Sequence, residues 1–168
     1  MTSTRVLLAT SSLVLAAACG DDGGSADADP AAPDARVSAK CLEARDHSDL
    51  DWIHTEIIVP GCASFQSCHM GTALEAGGLN LETKANVLAL VGRPSPLFPQ
   101  FQDIVPFSPS TSYLMILLGK YTGPLDPDVG TMPYASPLLC DQKRDAIDRW
   151  ILAGATDGAP AVDAALAQ

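Results

Sequence analysis

The chain has 168 residues, with 20 acidic side chains against 10 basic ones and a formal net charge of −10. That balance excludes nucleic acid as a partner, because binding it takes clustered lysine and arginine, and it suits docking to a basic-faced protein. The length allows one small domain beside its flanking segments.

Met1 to Thr4 with Arg5 form a short basic start, followed by a mostly apolar run from Val6 to Ala18. That run is too short to span a bilayer and suits the core of a signal peptide. Leu15-Ala16-Ala17-Ala18-Cys19 resembles a bacterial lipobox and departs from it at Ala16, where leucine is commoner. It implies a signal peptide over 1–18, cleavage before Cys19 and lipidation of Cys19; the plainer alternative is a secreted protein cut after Ala18. Cleavage removes Arg5 and no acidic residue, so the mature charge becomes −11. Residues 19–38 hold almost no large apolar side chain and cannot offset their ordering entropy, so a disordered tether is expected there. Its aspartates, Asp21, Asp22, Asp27, Asp29 and Asp34, lack the pattern of a cation-binding loop and read as solvated charge. The expected location is the periplasm or cell envelope, with the lipid in the inner or outer membrane.

The folded part is expected over 39–158, with 159–168 as a flexible tail, and it reads as all-α with long loops. Leu50, Ile53, Ile57 and Ile58 fall at helical spacing within 46–59, Ser48 or Asp49 can cap that helix, and Pro60-Gly61 ends it. A second helix is predicted over 81–91, capped by Asn80, stopped at Gly92, with Val87, Leu88 and Val91 inward. Residues 92–109 mix prolines with Phe98, Phe101 and Phe107 and should wrap as an ordered loop that buries its aromatics. Ser110-Thr111-Ser112 caps a short apolar helix from Tyr113 to about Leu118. Residues 119–137 form another turn-rich loop, which contains Met132-Pro133 and in which Asp126 and Asp128 serve turn chemistry. The last helix, about 141–153, turns Ala146, Ile147, Trp150 and Ile151 inward and Lys143, Arg144, Asp148 and Arg149 mostly to solvent. No alternating strand pattern occurs, although Glu56 to Val59 is β-prone. Short helices joined by apolar loops need a body to wrap around, and a haem would supply one.

Between the first two helices stands Cys62-Ala-Ser-Phe-Gln-Ser-Cys68-His69. Two cysteines with a histidine after the second is the arrangement that attaches haem c: the thiols form thioethers to the two vinyl groups, and the histidine becomes the proximal iron ligand. Five residues separate the cysteines, where the usual motif has two, so Ala63 to Ser67 must bulge outward. The same gap suits a disulfide. In an oxidising compartment Cys41 and Cys140 are left to pair with each other in either case. Zinc at Cys62, Cys68, His69 and His54 matches no common ligand spacing, and adjacent Cys68 and His69 do not face each other as a nucleophile and its base would. His47 and His54 read as packed or exposed helix residues.

In chain order, the helix leading into Cys62…Cys68-His69, then Gly77-Gly78-Leu79-Asn80-Leu81, Ser112-Tyr113-Leu114, Met132-Pro133 and Ile147…Trp150-Ile151-Leu152-Ala153-Gly154-Ala155, resemble the cytochrome c-like domains of secreted bacterial proteins. The resemblance covers about residues 50–156. It implies a class I cytochrome c fold in which the first and last helices cross, one covalent haem c, and His69 and Met132 as axial ligands. It implies an electron carrier, not an enzyme, with a redox protein as partner and the membrane reached through the lipid anchor. A thioether ligand favours reduced iron and raises the potential; the plain alternative for Met132 is a loop side chain that fills a gap. Met70, adjacent to His69, cannot reach the opposite face. A second reading keeps the scaffold without haem: a structural or interaction lipoprotein with a Cys62–Cys68 disulfide.

Overall fold

The computed structural model describes residues 38–158. The expected signal peptide, the Cys19 lipidation site, the tether up to residue 37 and the tail over 159–168 lie outside the described residues. Among the described residues the protein is all-α, and pairing of extended backbone is confined to the isolated bridges Val91–Ile104, Pro94–Gln102 and Gln102–Ser112. The β-prone run from Glu56 to Val59 is helical. No helix among these residues is long and apolar enough to cross a membrane.

α1 (Ala39–Glu43) is capped by Ser38, which therefore belongs to the domain and not to the tether. A 3-10 turn (Ala44–Asp46) leads to α2 (Leu50–Ile53), which continues through a π-helical turn (His54–Ile58) into α3 (Val59–Gly61). Of the two candidate caps, Asp49 is the one used: its Oδ1 accepts the Trp52 N–H at 2.8 Å, so the helix begins at Leu50 and not at residue 46. The π turn, in which the Val59 N–H donates back to the His54 carbonyl, inserts one extra residue into the helix. That insertion lets the adjacent Ile57 and Ile58 both join Leu50 and Ile53 in the core.

α4 (Lys84–Leu88) starts later than predicted, and its cap is Thr83, whose Oγ1 accepts the Asn86 N–H at 3.2 Å. Asn80 is engaged elsewhere: its Oδ1 accepts from the Glu82 N–H and Asn86 Nδ2, and its Nδ2 donates to the Gly71 carbonyl and the Glu82 carboxylate. An asparagine that bonds two residues ahead builds a turn instead of a helix start. Val87 is buried and Leu88 and Val91 are half-buried against the core, joined by Leu90.

In the loop that follows, Phe98 and Phe101 pack on Tyr113 of α5 (Tyr113–Leu117), with ring centroids 5.4 and 5.8 Å apart. Phe107 departs from the expected burial and is 70% exposed. Its N–H donates to the Ile151 carbonyl, and its ring lies so close to Gly154 that a Cβ there would meet it at 2.9 Å. Phe107 thus covers the end of the last helix and not the core. Ser112 gives α5 no side-chain cap, because its hydroxyl accepts the Val105 N–H and donates to the Ser108 carbonyl. Asp126 serves the turn as expected, accepting the N–H groups of Asp128 and Val129.

α6 (Asp141–Leu152) buries Ala146, Ile147, Trp150 and Ile151 in one core with Leu50, Ile53, Ile57 and Met115. Its polar face is stitched to the rest of the domain, not turned to solvent. Arg149 Nη2 donates to the carbonyls of Ala44, Arg45 and His47 at the end of the 3-10 turn, where the Ala44 carbonyl also accepts the His47 N–H. Arg144 Nη1 donates to the Gly119 carbonyl, and Asp148 accepts from Tyr121. The Cys41–Cys140 disulfide forms as expected and pins α1 to the start of α6, with Cα atoms 6.3 Å apart.

Candidate functional site

α3 ends at Gly61 and delivers Cys62, whose N–H donates to the Ile58 carbonyl at 2.8 Å. The chain leaves on a loop and returns at His69, whose N–H donates to the Cys62 carbonyl at 3.1 Å. Inside the loop the Cys68 N–H donates to the Phe65 carbonyl, so one internal turn takes up the extra length. Ser64, Phe65, Gln66 and Ser67 are exposed, as a bulge requires. Ala63 does not bulge: it is buried, and its N–H shares the Ile58 carbonyl with that of Cys62.

Cys62 and Cys68 are free, half-buried thiols. The Cys62–Cys68 bond of the haem-free reading is therefore not formed, while the other cysteine pair of the domain is bonded. Burial pushes the Cys62 thiol up to about 11, Cys68 adds to the rise, and the Lys143 ammonium opposes it. A thiol in that range is protonated at neutral pH and attacks disulfides slowly.

His69 Nδ1 lies 2.9 Å from the Leu79 carbonyl. A carbonyl only accepts, so the proton sits on Nδ1 and the lone pair on Nε2. Metal-binding histidines are held in this way, with one ring nitrogen tied to a fixed acceptor and the other left to the metal. The segment 77–81 forms a bracket around the ring. Gly77 and Gly78 take φ of 63° and 78°, the Leu81 N–H donates to the His69 carbonyl at 2.8 Å, and Asn80 clasps Gly71. The role of Leu79 went unread in the sequence because a main-chain carbonyl has no side-chain signature; the glycine pair before it was the only signal.

Met132 is half-buried against the core that also holds Cys62, Leu79 and Leu139, and its N–H donates to the Leu117 carbonyl at 2.8 Å. Its peptide bond to Pro133 is cis. The other histidines have structural partners: His54 Nε2–H donates to the Leu81 carbonyl, and His47 stacks on Trp52 while donating to Asp49. Among the described residues no three His, Cys, Asp or Glu side chains converge as a metal-ligand set, so His54 does not join Cys62, Cys68 and His69 around zinc.

The donor set matches haem c in chemistry: two unpaired thiols able to add to vinyl groups, an imidazole with Nε2 available, and a thioether. A shallow polar hollow of about 190 Å³ is lined by Leu79, Asn80, Asn86 and Arg93 among others, and includes none of the four donor side chains. Compared with protein-family models, with curated proteins and with solved structures, the chain matches none.

Proposed function

We propose that the protein is a lipid-anchored electron carrier that binds one haem c through thioethers at Cys62 and Cys68. His69 and Met132 would hold its iron, and the partner would be a basic-faced redox protein of the cell envelope. The observation that carries this reading is the imidazole of His69, held by Leu79 as the Nδ1–H tautomer directly after the second of two unpaired thiols. Cys62 and Cys68 would each supply an S–H to add across a vinyl group, sulfur to one carbon and hydrogen to the other, with no oxidant or reductant needed. When bound, the haem supplies the one-electron chemistry. The chain's part is to orient His69 through the Leu79 carbonyl, to shield Cys62 by burial, and to hold Met132 against the core through Leu117.

The test is production in a periplasm equipped for haem attachment. The expected product shows a Soret band and an intact mass one haem above the chain; His69→Ala should lose low-spin axial ligation while keeping the added mass. A colourless product lighter by four hydrogens than the fully reduced chain, the signature of two disulfides, would replace this reading with the haem-free one.

A further inference from the structure

Lys143 stands in the first turn of α6, where the helix dipole disfavours a cation. Its place is explained by what it reaches. Pro60 has no N–H to return to the Glu56 carbonyl four residues back, and Lys143 Nζ donates to that carbonyl at 2.8 Å. Glu56 lies inside the π-helical turn, two residues before Ile58, whose carbonyl holds the N–H groups of both Cys62 and Ala63. One ammonium thus ties α6 to the turn that sets the direction in which Cys62 leaves the helix.

We propose that Lys143 is a positioning residue for Cys62, holding the π-helical turn from which that thiol leaves the helix, while Cys68 is set by the loop's own turn through its N–H to the Phe65 carbonyl. This rests on Cys62 being an attachment thiol, but its consequence is readable without haem. In folded, haem-free protein with the Cys41–Cys140 bond intact, the half-buried Cys62 thiol should be alkylated faster when the turn opens, whereas Cys68, also half-buried, reports the loop alone.

The experiment measures alkylation rates of Cys62 and Cys68 by peptide mass spectrometry in wild type, Lys143→Met, Lys143→Arg and Arg149→Met. Lys143→Met removes the donor but keeps the stem; with each rate taken per thiolate from its own pH profile, because loss of the ammonium also raises the Cys62 pKa, it should speed Cys62 relative to Cys68 about tenfold, the factor for one lost charged hydrogen bond. Lys143→Arg should restore the ratio to within about twofold, since it returns a charged donor. Arg149→Met breaks a different set of α6 contacts and should lower the unfolding midpoint without changing the ratio. An unchanged ratio in Lys143→Met, or an equal change in Arg149→Met, overturns the proposal. In haem-loaded protein the Lys143→Met variant should carry a fraction of haem linked through Cys68 alone, seen as a shifted pyridine haemochrome band. Absence of haem from every variant would sink the proposed function and leave the alkylation result standing.

Discussion

The Tyr121 hydroxyl donates to Asp148 at 2.7 Å, and this bond, with burial and the nearby carboxylates adding to it, pushes the Tyr121 pKa up to about 12. The folded value lies above the unfolded one, so the contribution is complete below pH ~10 and is lost as pH rises from ~10 to ~12. With the ring half-buried and the carboxylate partly hydrated, it stabilises by about 1 kcal/mol. Tyr121→Phe should cost that much at pH 8 and should lessen the fall in stability between pH ~10 and ~12. Urea unfolding across the range checks both; parallel losses in the two proteins would contradict the assignment. Residues of this kind were the least legible in the sequence. The inward set Leu50, Ile53, Ile57, Ile58, Ala146, Ile147, Trp150 and Ile151 was readable because burial imprints a period. Tyr121, Lys143 and Arg149 act through partners more than 20 residues away, and no local pattern announces such bonds.

Helix starts show the same limit one level up. Asn80 and Thr83 are both cap-type residues ahead of an apolar run, and the choice between them is made by Gly71, whose carbonyl takes the Asn80 amide. Thr83→Ala should therefore cost about 1 kcal/mol, measured by urea unfolding, whereas a near-zero effect would return the cap to Asn80. Asp49→Ala should cost a similar amount, since Asp49 caps α2 and also accepts from His47. The stretched cysteine loop was legible in outline: a bulge was required, and four of its five residues supply it. The fifth, Ala63, was hidden because the π turn moves the helix end by one residue, and adjacent Ile57 and Ile58 were the only hint of that turn.

At the scale of the whole molecule, the all-α class was legible because no segment alternates and each helix carries its own stop signals. The disulfide follows once the compartment is taken as oxidising and Cys62 and Cys68 are taken together, as thioether sites or as a pair, and it closes a separation of 99 residues. Replacing Cys41 and Cys140 together by serine should lower stability by roughly 4 kcal/mol, since a cross-link across a loop of that length restricts the unfolded chain most. Thermal unfolding of the double variant against wild type measures it, and a loss below about 1 kcal/mol would mean that the reduced chain retains residual structure.

The position of that bond also sets how the molecule carries load. The described chain begins at Ser38, and Cys41 lies three residues on, covalently joined to Cys140 at the head of α6. A pull on the segment before Ser38 divides at Cys41 between the backbone and the bridge. The covalent branch runs into α6, the longest helix among the described residues, which Trp150 and Ile151 root in the core. Tension from the N-terminal side is therefore shared with the head of α6 before it arrives at α2, and the turn that carries Cys62 receives part of it from both branches, because Lys40 beside Cys41 pairs with Glu56 and Lys143 of α6 donates to the Glu56 carbonyl.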